Sequence, residues 1–99
     1  MNTVQIDIKQ VSTGTLSNTD GLNLKIELCK VLSRNDAVVL SFAGVGAISS
    51  SFLNSSLGEI VDDFGIDTLK NKIRITNYTP TIADFIRKYL KDLTLLKSS

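Results

Sequence analysis

Residues 38–61, VVLSFAGVGAISSSFLNSSLGEIV, hold the transition that decides the fold. The apolar run Ala37–Ala43 has the length and β-branched content of a buried strand, and runs of this kind are typical of a parallel sheet covered on both faces. Gly44 and Gly46 interrupt it, because glycine accepts backbone angles that other residues resist. Three serines, Ser49, Ser50 and Ser51, come next. Leu53, Leu57, Ile60, Val61 and Phe64 then recur at helical spacing over about 50–64, and Gly65 stands just past the last of them, as a C′ glycine does. A strand therefore hands over to a helix through a glycine-hinged, hydroxyl-rich turn.

The pattern repeats outward in both directions. On the N-terminal side, Val4, Ile6 and Ile8 alternate with Gln5, Asp7 and Lys9, the period of a strand over 4–11 with one wet face. The segment 12–21 is rich in turn formers and leaves room for a short extra strand around 13–16. A helix follows from Asp20, read as its N-cap, to about 33–36. It carries two apolar stripes, Leu22–Ile26–Cys29–Leu32 (or Ser33) and Leu24–Leu28–Val31, so it is expected to be flanked on two sides by the sheet, a neighbouring helix or a partner. On the C-terminal side, 66–72 reads as a link to a third strand over 73–77. Thr79 then caps a helix with Pro80 in its first turn. Ile82, Phe85, Ile86, Tyr89, Leu90 and Leu93 form its apolar stripe, and Asp84 and Lys88 an i,i+4 pair.

The resulting order, β–α–β–α–β–α, predicts a single small α/β domain over 1–99. Its sheet should be mostly parallel or mixed, with right-handed crossovers and about three to four helices. A chain of 99 residues buries roughly 60–65% of its extended surface. That leaves little volume for a deep cleft and favours a surface-acting module.

Composition excludes several function classes. The sequence contains no histidine, which removes the commonest general base and metal ligand and every Ser-His or Cys-His pair. No catalytic residue, metal site or cofactor is expected. The net charge of +1 has no single-sign run behind it, so nothing demands nucleic acid. Cys29 lies in an apolar pattern and reads as a small core residue. The N-terminus lacks the charged and apolar regions of a signal peptide, and no apolar run approaches the ~20 residues of a membrane span. A cytoplasmic protein without membrane contact is expected. Gly44-x-Gly46 lacks the third glycine of a dinucleotide fingerprint, position 49 being serine, and no P-loop is present. Glu59, Asp62 and Asp63 read as a solvated acidic face, and Arg87, Lys88 and Lys91 as a solvated basic one.

The turn resembles that of the STAS superfamily, the anti-sigma factor antagonists, in which a strand leads through Asp-Ser-x-Gly into a helix and the serine is a phosphorylation switch. In AISSSFL (47–53), Ser50 occupies the place of the switch serine, Ser49 that of the aspartate and Phe52 that of the glycine. The chain resembles more closely the STAS-like bacterial domain family of unknown function. There an apolar strand precedes an SSF-type turn and an amphipathic helix, and the segment LSNTDG (16–21) is also reminiscent. The resemblance implies a non-catalytic signalling or regulatory module. Its protein partner would be a regulatory protein such as a histidine-kinase-like ATPase, or a second copy of the chain. The expected partner-binding residues are Gly44, Gly46, Ser49, Ser50, Ser51, Phe52 and Asn54, with Ser50 as a phosphorylation site; Phe52, in the first turn of the helix, either packs onto the sheet or projects as an apolar anchor for a partner. The alternative is a small anion- or nucleotide-binding domain that uses the N-terminus of the second helix.

Overall fold

The computed structural model describes residues 2–97. Three strands, β1 (Thr3–Asp7), β2 (Ala37–Ser41) and β3 (Ile73–Thr76), form one sheet in the order β1-β2-β3, with both pairings parallel. Gln5, Val39 and Arg74 lie abreast in the register. The helices are α1 (Ile8–Val11), α2 (Asn18–Ser33), α3 over 50–64, α4 (Ile66–Lys72) and α5 (Pro80–Lys97). The fold is thus α/β with a parallel sheet and five helices, against the three to four expected.

Strands in sequential order joined by right-handed crossovers place their connecting helices on the same face. Alternation along the strands shows which face that is. Ile6, Val38, Leu40 and Ile73 are buried, whereas Thr3, Gln5 and Arg74 are exposed. The sheet is therefore covered on one face only. This corrects the reading of the Ala37–Ala43 run as a strand sandwiched between two layers. Val39 is partly exposed on the open face. Ser41 is buried because the Asn77 side chain donates to its hydroxyl at 2.9 Å and lies over it. Beyond Ser41 the chain leaves the sheet, and Phe42 turns fully into the core.

Several element boundaries differ from the periodic reading. The strand predicted over 4–11 stops at Asp7, and Ile8–Val11 forms a helical turn that keeps Ile8 wholly buried. No strand forms at 13–16, where the backbone bends. Helix α2 begins two residues before Asp20: the Ser17 hydroxyl accepts the Asp20 N–H at 3.1 Å and is the cap. Asp20 instead sits in the first turn, where the helix dipole favours a carboxylate, and it accepts a hydrogen bond from the Ser12 hydroxyl at 3.2 Å. Of its two stripes, Leu24–Leu28–Val31 is buried, while Leu22 and Ile26 are 45% and 54% exposed. Segment 66–72, read as a link, is α4. Gly65, at φ +94°, divides it from α3, and Leu69 is buried beneath it. Asp84 pairs with Arg87 at 3.0 Å rather than with Lys88.

Helix α3 occupies the middle of the helical layer. Its buried residues fall in two columns spaced by four: Phe52, Ser56, Ile60 and Leu53, Leu57, Val61. In a pure α-helix each step of four drifts by about 40°, so such columns would spiral out of the core. The central stretch Asn54–Gly58 is a π turn. Its wider pitch absorbs the drift, and all six residues stay buried. The Ser56 hydroxyl, fully buried, donates back to the Phe52 carbonyl at 2.7 Å. Thus π-turn geometry comes with a satisfied buried polar group.

The face of α3 carrying Ser55 and Asp63 meets α2: Ser55 donates to Asn18 at 2.9 Å, and Asp63 pairs with Lys25 at 3.4 Å. This pairing raises the Lys25 pKa above its ordinary value. The opposite face, carrying Asn54 and Gly58, meets Tyr89 of α5. The layer order is therefore α2–α3–α5.

Candidate functional site

The link from β2 to α3 lies at the carboxyl end of the sheet, where ligand and partner sites of open α/β folds gather. Its path is tightly specified. The Phe42 N–H donates to the Thr76 carbonyl at 2.9 Å and the Val45 N–H to the Phe42 carbonyl at 3.0 Å. The Ser41 hydroxyl accepts the Ala43 N–H at 3.2 Å. Gly44 follows at φ +76°, a left-handed conformation that L side chains rarely adopt. Val45 and Ile48 then point inward and are buried. Gly46 lies between them, exposed, and a Cβ built on it would meet nothing within 4 Å.

The segment after α1 holds this turn from the side. The Thr15 hydroxyl donates to the Ala47 carbonyl, and the Ser49 N–H donates to the Thr15 carbonyl at 3.2 Å. Ser49 ties the arrangement together. Its hydroxyl donates to the Leu16 carbonyl at 2.8 Å and accepts the Phe52 N–H at 3.1 Å. It is both the N-cap of α3 and the tether of the 12–17 loop. That satisfies one of the donors an anion would need at this helix start.

The expected partner-binding residues separate into two groups. Gly44, Gly46, Ser50, Ser51 and Asn54 are exposed, and Ser49 is half-buried. Phe52 is 0% exposed and belongs to the core. Of the two readings of its first-turn position, the projecting anchor is corrected, and Phe52 leaves the set of expected partner-binding residues. With Ser49 at the cap, residue 52 falls on the side of the first turn that faces the sheet and α2, and its carbonyl lies against Gly21. Burial of a ring of this size stabilises the domain by about 1.5–3 kcal/mol.

An aromatic surface is supplied from elsewhere. Ser50 faces a groove of about 270 Å³ shared with Phe85, Lys88, Tyr89 and Asp92 of α5. Phe85 is 36% exposed. The Tyr89 hydroxyl donates to Asn54 Oδ1 at 3.0 Å. Burial, helped by the Asp62 charge, holds the Tyr89 phenol above its ordinary pKa, so it stays a neutral donor. Phe85 and Tyr89 had a signal in the sequence only as members of the α5 stripe, which does not tell a groove wall from core. Among the described residues no group of three or more His, Cys, Asp or Glu side chains could hold a metal ion. Burial raises the pKa of the half-buried Cys29 thiol, which disfavours a reactive thiolate.

A family model described as the STAS-like domain of unknown function (DUF4325) matches residues 20–83, from the first turn of α2 to the first turn of α5. The chain belongs to this family. The matched segment of the STAS-like domain contains all of β2, the turn, α3 and β3, so the stitched turn and the exposed serines lie within the family's own region. No curated protein and no solved structure matches the chain. Among its described residues, no helix is long and apolar enough to cross a membrane.

Proposed function

We propose that the STAS-like domain, spanning 1–99, is a non-catalytic regulatory module in bacterial signalling in the cytoplasm. It recognises a protein partner with the turn and helix start at 44–54. The recognition surface consists of Gly44, Gly46, Ser49, Ser50, Ser51 and Asn54, and Phe85 of α5 replaces Phe52 as its aromatic element. The partner class is a regulatory protein such as a histidine-kinase-like ATPase. The observation that carries this reading is the setting of Ser50: an exposed hydroxyl, at the start of a capped helix, on the rim of a groove walled by Phe85, Lys88, Tyr89 and Asp92. Such a groove is small and open and suits a partner side chain better than a free metabolite. Phosphorylation of Ser50 would place about −1.5 to −2 charges between Lys88 and Asp92 and change what the groove accepts.

The alternative, an anion or nucleotide at the N-terminus of α3, is disfavoured because Ser49 already accepts the Phe52 N–H. The test is a photo-crosslinker placed at position 50, with position 30 on the outer side of α2 as the control, followed by mass spectrometry of the adduct from the source cells. A partner crosslinked at 50 and not at 30, whose co-purification with the crosslinker-free protein is lost in Ser50→Asp and Gly46→Val variants of unchanged thermal stability, supports the proposal. Equal crosslinking at both positions, or a partner retained by both variants, refutes it. Intact mass of the natively expressed protein tests the phosphate on Ser50.

A further inference from the structure

Among the described residues, strand β3 is paired on one side only, with β2. The Thr76 carbonyl accepts the Phe42 N–H, so Thr76 directs its main-chain groups toward β2. Successive strand residues direct them to opposite sides, and Ile75 therefore presents its N–H and C=O at the open edge. Natural sheets usually cover or charge such an edge. Here it is bordered by cavities of contrasting character on the two faces of the sheet. On the helix side, a cavity of about 170 Å³ lies between α4, α5 and β3, lined mostly by apolar residues such as Ile66, Leu69, Ile75 and Leu90, with Lys70 on its border as well. A second, of about 280 Å³, continues it past Ile75 toward Tyr78, Ile86 and Arg87. On the open face and amino end of the sheet lies a third, of about 420 Å³, with Lys70, Lys72 and Arg74 in its lining. Among the described residues, no carboxylate lines any of the three.

We propose that the β3 edge receives an extended segment of a partner protein in which apolar residues alternate with Asp or Glu. An added strand presents its side chains to the two faces in turn. Its apolar residues enter the groove beside Ile75 and Leu90, and its carboxylates meet Arg74 and Lys70. A second copy does not supply the acidic groups this surface calls for: two β3 edges paired about a two-fold axis run antiparallel, and the described linings of these cavities offer no carboxylate to Arg74 or Lys70. This surface lies across α5 from Ser50 and does not depend on the 44–54 reading.

The experiment titrates the full chain into a fluorescein-labelled peptide, Val-Glu-Val-Glu-Val-Glu-Val, followed by anisotropy at low and high salt. Amide exchange of the complex is read by NMR. Saturable binding that weakens with salt and falls roughly five- to tenfold in each of Lys70→Glu and Arg74→Glu is expected. So is slowed exchange at the Ile75 amide, with binding unchanged in Ser50→Asp and lost when lysine replaces glutamate in the peptide. Absence of saturable binding, indifference to Arg74→Glu, protection at β1 instead of Ile75, or self-association through β3 that excludes the peptide would each overturn the proposal.

Discussion

The contact between α2 and α3 is close enough for one methyl group to test it. Gly21 lies inside α2, and a Cβ placed on it would sit 2.5 Å from the Phe52 carbonyl oxygen and 2.7 Å from Ser55 Cβ. Both distances fall below 3.0 Å, which real Cβ atoms essentially never show. One of the two atoms is backbone in the first turn of α3, so neither can rotate away. In an unconstrained helix, Gly→Ala gains about 1 kcal/mol from propensity. Forcing a methyl into a packed site costs about 1–3 kcal/mol. The steric cost lies at the upper end here, about 2–3 kcal/mol, because helix backbone must move, and Gly21→Ala should lose about 1–2 kcal/mol net. For a domain of this length that is a fall in Tm of roughly 4–15 °C. Gly58→Ala is the matched control. Its Cβ would approach the Tyr89 hydroxyl at 2.7 Å, the far end of a side chain that can swing aside. It should be near neutral in stability while weakening the Tyr89–Asn54 hydrogen bond. Urea denaturation gives both values, with the slope confirming that two-state behaviour persists. A Gly21→Ala variant as stable as the parent, or more so, would show that the helices do not approach as described.

Other substitutions probe the site itself. Phe52→Ala should cost about 3–5 kcal/mol, unfolding much of the population in a denaturation curve instead of removing a surface contact. A variant of parental stability would return Phe52 to the surface. Ser49→Ala removes the α3 cap and the tether to Leu16, for a loss of about 1–2 kcal/mol and faster amide exchange at Phe52; unchanged exchange would count against the cap. Because burial raises the Tyr89 pKa in the folded state, the protonated phenol is the stabilising form. Its contribution is complete below the unfolded value near 10 and is lost as pH rises through the higher folded value. Stability measured between pH 9 and 11.5 should therefore fall more steeply in the parent than in Tyr89→Phe, and parallel curves would contradict this.

The parallel α/β frame was legible because β2 is a near-continuous apolar run closed by Gly44, α3 carries a helical stripe closed by Gly65, and α5 carries one opened by the capping Thr79. Shorter signals misled where two readings fit the same residues. Ile8 continues the alternation of β1 and also suits a buried helical turn, and only its packing decides. Ser17 and Asp20 are both good caps three residues apart, and the better-placed hydroxyl prevails. Seven residues at 66–72 are too few for periodicity to show, although Asp67 near the start and Lys70 and Lys72 near the end match a helix dipole. At the site, the hydroxyl-rich turn was visible in the sequence and Phe52's direction was not. A first-turn residue faces inward or outward according to which serine caps the helix, and three candidates stood in a row. The groove opposite Ser50 depends on α5 lying beside α3, a long-range placement that local pattern does not encode.

The wide turn at Asn54–Gly58 lets a single helix serve two masters. It works as a phase adjuster: the front end is set by the tethered serine cap, and the rear end by Asp63 meeting Lys25. Deleting one residue there would restore a uniform α winding and leave everything beyond it within about 20° of its present direction. Asp63 would still face Lys25 while Ser50 kept its place. The helix thus carries one residue more than a plain α-helix needs between the same two ends.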